Sequence, residues 1–412
     1  MTATLHPSLG PPTPPPVNRI GPVESLPDHS APPSERAFVS WVHFGDLHIT
    51  GEREQNYRDL LALVAEVNAH LAGPGGVRFV FLPGDNADNG TEAQYRLILR
   101  ALDGLCLPVQ ALPGDHDIQG GDLRSFCRWL EPVLLRSQTF GHCRCVFLNA
   151  VDIEGTKGFD FGPLQLIYLE DELTAAARLG QRAAVFMHTY PSELAFAGPT
   201  VASLLRRHDH VRVVEMGHTH YNEVANDGRL IYAATRSTGQ IEEGPVGFSV
   251  TCLDGDTVSW KFKALVDPWP LVMITSPADQ AFLTSALGPV SGRVEVRARA
   301  WAGNGGVVHA ACRVDDGPFY PMRRTDEAGP WRWQWDSTGF ADGPHELTVR
   351  AETTLGRTGE DTITVRCNQA GRYDPLPRAE VDMENAIGAY PAKGLLGTRL
   401  GPNKNGHPWG AS

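Results

Sequence analysis

The sequence lacks several features that would place it in a specialised class. It has seven cysteines among 412 residues, and no two of them form a CxxC pair. This number and spacing exclude a disulfide framework and a zinc-finger pattern. We therefore interpret the cysteines as mostly reduced, buried thiols, which favours a cytoplasmic location. No stretch approaches the roughly 20 apolar residues that a membrane span requires, so no span is predicted.

An excess of positive charge is also missing. The 36 lysines and arginines face 48 aspartates and glutamates, giving a net charge of −12. This acidic balance argues against long nucleic acids as partners, because their binding needs a broad basic surface. A small phosphorylated substrate stays open, since a bound metal can invert the local field.

The composition and the residue pattern change along the chain and predict four regions. Residues 1–36 are rich in proline, without a continuous apolar core, and are expected to be flexible rather than a secretory signal. Residues 37–267 alternate strands and helices, which predicts an α/β domain with two packed sheets. Residues 268–367 show short alternating strands with Gly, Pro and Asp turns, typical of an immunoglobulin-like β-sandwich. Residues 368–412 have no periodicity and are expected to form an irregular tail.

Polar residues cluster where the predicted strands of the α/β domain end. Functional groups in such folds gather at the carboxyl ends of strands. Glycines 45, 84, 114 and 217 let the backbone turn sharply beside these groups. His43 is interpreted as a core or surface histidine and is left out. The candidate residues are Asp46, His48, Asp85, Asp115, His116, His188, His218 and His220.

Without His116, the list holds three carboxylates and four histidines, which exceed what one metal ion needs and suit two ions that share a bridging carboxylate. Imidazole and carboxylate ligands fit Mn, Fe, Zn, Ni or Co, and the absence of cysteine argues against a thiolate site. The predicted cofactor is a pair of divalent or mixed-valence ions, with Mn, Fe or Zn preferred. Two ions about 3.5–4 Å apart form the usual clamp for hydrolysing phosphate esters.

Taken in order, the motifs resemble the calcineurin-like metallophosphoesterase family over residues 38–266. They are Asp46-x-His48, Gly84-Asp85, Gly114-Asp115-His116-Asp117, His188, and Gly217-His218-x-His220. The resemblance implies a four-layer α-β-β-α fold with a dinuclear centre, and hydrolysis by attack of a metal-bound hydroxide.

The resemblance also implies a role for each residue. Asp46, His48 and His220 would hold one metal, Asp85 would bridge, and Asp115, His188 and His218 would hold the second. His116 would face the leaving group as the catalytic residue, and Asp117 would orient His116 or its loop. Asn86 would contact a phosphate oxygen, with a turn-capping role as the equal alternative.

One position departs from the family pattern. The third motif of the family usually reads Gly-Asn-His-Asp or Gly-Asn-His-Glu, whereas this chain has Asp115 in place of the asparagine. An added negative charge would tighten cation binding and weaken attraction for a dianionic phosphate. We therefore expect a phosphodiesterase rather than a phosphomonoesterase. The alternatives are a phosphatase acting on a small molecule or a protein, and an inactive binding or scaffold protein. A further hypothesis gives the sandwich a role in docking or homo-oligomerisation.

Overall fold

The computed structural model describes residues 38–371, apart from residues 74, 153–157, 228, 241–244, 281–287, 304–305, 325 and 327. The predicted segment 1–36 and most of the predicted tail 368–412 lie outside this range. Within the range, none of the helices combines the length and apolar character needed to cross a membrane.

Five α-helices and eighteen strands make up the described part of the chain. The helices are α1 (Gln55–His70), α2 (Glu92–Leu102), α3 (Arg124–Trp129), α4 (Pro163–Arg178) and α5 (Gly198–Arg207). The strands of the first two sheets are β1 (Phe38–His43), β2 (Val80–Leu82), β3 (Val109–Ala111), β4 (Arg136–Phe140), β5 (Cys143–Phe147), β6 (Arg182–Phe186), β7 (Val211–Met216), β8 (Glu223–Asn226), β9 (Ile231–Ala234), β10 (Gly247–Asp254) and β11 (Thr257–Ala264). The remaining strands are β12 (Leu271–Ser276), β13 (Arg293–Trp301), β14 (Val307–Val314), β15 (Tyr320–Pro321), β16 (Trp331–Asp336), β17 (Gly343–Thr353) and β18 (Thr358–Cys367).

Two mixed sheets pack face to face between two layers of helices. Their strand orders are β11-β10-β1-β2-β3 and β4-β5-β6-β7-β9-β8. Alternation along β1 shows how the layers form: Trp41 joins the aromatic core between the sheets, whereas Val42 joins the core beneath α1 and α2. Helices α4 and α5 cover the outer face of the second sheet. The predicted four-layer α-β-β-α fold is confirmed.

Local sequence signals account for two of the helix starts. Thr91 caps α2, and its side chain and that of Gln94 form a reciprocal capping box. Gly162 precedes α4, and Pro163 occupies its first turn, where the missing N–H costs nothing.

A fully buried carboxylate connects the two sheets below the candidate site. Glu215 on β7 accepts hydrogen bonds from Trp41 Nε1 at 3.0 Å and Thr251 Oγ1 at 2.5 Å. Its second oxygen lies 2.8 Å from His43 Nδ1, and all of these side chains are buried. Because Glu215 satisfies donors on β1 and β10, it fixes the spacing of the strands that carry Asp46 and His218. His43 is therefore a core residue that supports the site.

The C-terminal strands form an immunoglobulin-like β-sandwich, as predicted. A three-stranded sheet, β12-β13-β16, faces a four-stranded sheet, β15-β14-β17-β18. Trp331 and Trp335 are buried in the core between them. Trp269 and Trp301 instead join the apolar cluster of α1 and α2, so the two parts of the chain share buried surface. All seven cysteines are free, and five are buried.

Five elements are absent from the sequence prediction: β4, β8, β12, α3 and α5. The segment of β12 (Leu271–Ser276) is interpreted from the sequence only as a domain boundary. Strand β4 reads RSQTF and is mostly half-buried, so it lacks the apolar run that marks its neighbours. Its position is decided by antiparallel pairing with β5. Helix α5 carried a readable signal, since a proline lies in its first turn and arginines lie in its last.

Candidate metal centre

The candidate residues follow strands that run in parallel, and the fold brings their carboxyl ends to one place. Strands β1, β2 and β3 are parallel neighbours, and so are β5, β6, β7 and β9. Asp46 and His48 follow β1, Asp85 follows β2, Asp115 and His116 follow β3, His188 follows β6, and His218 and His220 follow β7.

Two groups of ligand atoms converge, and they share one residue. The first group is Asp85, Asp115, His188 and His218, and the second is His48, Asp85 and His116. Within each group the ligand atoms lie within 4.8 Å of one another. Asp115 Oδ1 lies 3.4 Å from His188 Nε2 and 3.5 Å from His218 Nδ1. Asp85 belongs to both groups, so its carboxylate has the position that a bridging ligand would need.

Asp46 and His220 adjoin these groups. His220 Nε2 lies 3.1 Å from His48 Nε2. Asp46 Oδ2 accepts a hydrogen bond from the backbone N–H of His218 at 3.1 Å, and Asp46 Oδ1 lies 3.9 Å from His188 Nδ1. All seven candidate metal ligands therefore lie together. The second group, however, includes His116, which the sequence analysis assigns to the leaving group rather than to a metal.

The backbone is strained at four of the seven candidate ligands. His48, Asp85, His218 and His220 have positive φ angles of 41°, 49°, 65° and 61°, a region that side chains with a Cβ rarely occupy. Such strain persists only where the surrounding structure enforces it, and it concentrates at functional sites. A Cβ on Gly114 would lie 2.2 Å from Asp85 Oδ1, so this glycine allows close approach of the two loops.

The hydrogen bonds around the site determine which histidine ring nitrogen is left to bind a cation. His188 Nδ1 lies 3.0 Å from the carbonyl oxygen of Pro83 and donates to it. Nε2 of His188 is therefore unprotonated in the neutral ring, and it is buried without a hydrogen-bond partner among the described residues, as are Asp46 Oδ1 and Asp115 Oδ1. Buried acceptors without donors are costly unless a cation compensates them, so these residues fit a metal site.

The electrostatics of the site show the same crowding of charge. Burial raises the pKa of Asp85 to about 7, against the opposing effect of His188. Burial lowers the pKa of His188, but Asp85, Asp115 and Asp46 outweigh it and raise the value to about 10. Burial also lowers the pKa of His48 to about 4. Three carboxylates so close together require compensating positive charge.

Asp88 positions His116, and sequence reasoning missed it. The carbonyl oxygen of Asp88 accepts from His116 Nδ1 at 2.9 Å, and its carboxylate lies 3.6 Å from the same nitrogen. Burial lowers the pKa of His116, but Asp88 and the nearby carboxylates prevail and raise it. The same carboxylate lies 3.5 Å from His48 Nδ1, and Gln240 Nε2 lies 3.1 Å from that nitrogen. The sequence offered one signal for Asp88, its position as an acidic residue three positions after Asp85. No sequence pattern marked Gln240.

Asp117 holds the loops of the site together. Its carboxylate accepts hydrogen bonds from the backbone N–H groups of Asn86, Ala87 and Gly114 and from Tyr95 Oη. Burial raises the pKa of Asp117, and these hydrogen bonds oppose the rise. No hydrogen bond to the His116 ring is found among the described contacts, so Asp117 acts on the loop.

The Asn86 amide is buried and donates to Leu112 O at 2.8 Å and to Asp117 Oδ2 at 3.0 Å. These contacts favour the turn role that the sequence left open beside substrate binding.

Comparison with known proteins agrees with this geometry. Residues 40–222 match the sequence profile of the calcineurin-like phosphoesterase family. This part of the chain is a calcineurin-like phosphoesterase domain. Residues 270–349 match a bacterial Ig domain. The family and the two ligand groups together support a dinuclear divalent metal site. No curated protein matches the chain.

Solved structures with a similar fold include two phosphatases and an anchor protein. A dimetal phosphatase from Danio rerio has 16% identity and a TM-score of 0.46, covering 56% of this chain and 97% of its own. The purple acid phosphatase PPD1 from yellow lupin seeds has 14% identity and a TM-score of 0.44, covering 56% and 52%. GAP50, the anchor in the inner membrane complex of Plasmodium, has 15% identity and a TM-score of 0.43, covering 56% and 86%. At these identities, the likeness says nothing of activity.

Proposed function

We propose that this phosphoesterase hydrolyses phosphate esters in a metal-dependent reaction and prefers diesters to monoesters. The observation that carries the proposal is the pair of ligand groups that share Asp85. A single ion would not need both groups. The proposal is further supported by buried atoms that have no hydrogen-bond partner among the described residues: Asp46 Oδ1, Asp115 Oδ1 and His188 Nε2.

The residues would divide between two ions. Asp46, His48 and His220 would hold one, and Asp115, His188 and His218 would hold the other, with Asp85 between them. When bound, two divalent ions supply positive charge beside the phosphorus and lower the pKa of water. Mn, Fe and Zn all suit this set of imidazoles and carboxylates.

His116 is the candidate catalytic residue. Because its Nδ1 is held by Asp88, its Nε2 is left to face substrate. The nearby carboxylates favour the protonated ring. Protonated Nε2 can donate a hydrogen bond to a non-bridging phosphate oxygen, or transfer its proton to the departing ester oxygen as a general acid.

Asp115 supports the preference for diesters. Its carboxylate lies within 3.5 Å of two candidate histidine ligands, so the charge it adds over asparagine is inside the site. A diester carries one negative charge less than a monoester dianion. It is therefore repelled less by this extra carboxylate.

The test uses the full chain loaded with Mn²⁺ and two substrates, bis-p-nitrophenyl phosphate and p-nitrophenyl phosphate. We expect hydrolysis of both, a higher kcat/KM for the diester, and loss of activity on metal removal with EDTA. His218→Ala should abolish turnover. His345→Ala is the matched control, because His345 lies in the sandwich and pairs with Asp315. Bound metal without turnover would favour a scaffold protein, and a higher kcat/KM for the monoester would favour a phosphatase.

A further inference from the structure

The two sides of the metal centre differ in chemistry. On the side of His48 and His116, the neighbouring side chains are polar: Asp88, Gln119 and Gln240 all approach the ring nitrogens. On the side of His188 and His218, one of the described neighbours is aromatic. The Phe159 ring centroid lies 4.8 Å from that of His218 and 5.5 Å from that of His188. Phe159 is half-buried, so part of its ring stays exposed.

A second aromatic residue extends this apolar side toward solvent. The loop that carries Phe196 is attached to the Phe159 segment by two hydrogen bonds, one to a backbone carbonyl and one to a side chain. Ala195 N–H donates to Phe159 O at 2.9 Å, and Ala197 N–H donates to Asp160 Oδ1 at 2.8 Å. Phe196 itself is 78% exposed, and Leu164 in the first turn of α4 is 79% exposed. Single exposed apolar residues are ordinary, but Phe196 is tied through its backbone neighbours to the segment of Phe159, whose ring lies against two candidate ligands.

The direction of the reaction assigns this surface to one part of the substrate. The leaving oxygen must lie near His116, on the polar side. In an in-line displacement the retained ester group is equatorial, at about 90° to the leaving oxygen, so it can be turned toward the side of His218 and Phe159. Glu193 Oε1 lies 3.9 Å from His218 Nε2, and Asp160 lies beside Phe196. These acidic groups disfavour a retained group that is itself anionic.

Resting on the proposed phosphoesterase function, we propose that the substrate is a diester whose retained ester group is uncharged and apolar or aromatic. This group packs against Phe159 and Phe196, which determine specificity. A monoester has no such group and leaves the surface empty, which is a second physical reason for the preference for diesters.

The test keeps the leaving group constant and varies only the retained group. The substrates are bis-p-nitrophenyl phosphate, methyl p-nitrophenyl phosphate and p-nitrophenyl phosphate, which all release p-nitrophenolate. The quantity compared between variants is the ratio of kcat/KM for the aryl diester to kcat/KM for the methyl diester. This ratio cancels any damage to the metal site, because both reactions use the same ligands and the same leaving group.

Phe196→Ala and Phe159→Leu are each expected to lower this ratio about fivefold, the loss of one aromatic contact. Leu179→Ala is the matched control, because Leu179 is 68% exposed just beyond the opposite end of α4, and its ratio should equal that of the wild type. A ratio within twofold of wild type in both phenylalanine variants would overturn the inference and leave the phosphoesterase function standing. A metal-loaded wild type that cleaves none of the three substrates would overturn both.

Discussion

Replacement of Asp117 by asparagine should destabilise the loops that carry Asp85 and Asp115. One carboxylate oxygen of Asp117 accepts from Ala87 N–H at 3.0 Å and from Tyr95 Oη at 2.6 Å. The other accepts from the Gly114 N–H at 3.0 Å and from the backbone and side-chain amides of Asn86 at 3.2 and 3.0 Å. An asparagine puts an NH₂ donor in place of one oxygen, so two or three donors lose their acceptor whichever way the amide turns.

The magnitude follows from these stranded donors. Each buried donor without a partner costs about 1–3 kcal/mol, so two of them cost roughly 4 kcal/mol together. For a domain of this size, 1 kcal/mol corresponds to a Tm change of about 2–4 °C, which gives a decrease of roughly 8–16 °C. Tyr95→Phe is the matched control: it removes one donor and leaves the carboxylate with the others, at a cost of about 1–2 kcal/mol.

The assay is thermal unfolding of the full chain with and without saturating Mn²⁺, together with Mn²⁺ titration. Asp117→Asn should melt well below Tyr95→Phe and bind Mn²⁺ more weakly, because the Asp85 and Asp115 loops lose their common anchor. If the two variants melt within about 2 °C of each other, the assignment of Asp117 as the anchor of these loops is wrong.

Three further predictions address other parts of the site. His116→Ala should slow hydrolysis of alkyl phosphodiesters more than that of p-nitrophenyl esters, because alkoxide leaving groups need a proton. Equal losses in kcat for both esters would contradict a general-acid role and leave His116 only electrostatic stabilisation. Asp115→Asn should lower the ratio of diester to monoester kcat/KM at low ionic strength, and an unchanged ratio would contradict the charge explanation. Glu215→Ala should destabilise the protein by about 3–5 kcal/mol in urea unfolding, because it strands three buried partners. Glu215→Gln should recover part of that loss. Equal stability of both variants would refute the stabilising role of the hydrogen bonds to Glu215.

Much of the fold was predictable because its signals are local. The sequence predicts a strand over residues 247–254 and a helix over residues 162–177, and the structure has β10 at Gly247–Asp254 and α4 at Pro163–Arg178. Their apolar periodicity and their Gly and Pro boundaries are set by neighbours in the chain. Strand β4 could not be predicted in this way, because its half-exposed sequence is stabilised by pairing with β5.

The roles around the site were less predictable. Asp88 and Gln240 approach His48 from 40 and 192 positions along the chain. Asp117 accepts from Gly114 three positions away, but its other donors come from residues 22 to 31 positions away. Phe159 has no pattern that marks it as a neighbour of His218. Apart from the position of Asp88 three residues after Asp85, none of these contacts has a period or a spacing that a single sequence could reveal.

The sequence by itself determined which residue types stand at the ends of the strands, because a strand that stops at glycine and a carboxylate or imidazole is visible in the order of letters. It also determined the layers, since alternation of strands and helices admits few ways to bury two apolar sheet faces. Only the tertiary structure decided that one side of the centre is polar and the other aromatic, and which carboxylate anchors which loop. Those properties depend on distances between segments that are far apart in the chain, and packing of the two sheets sets these distances.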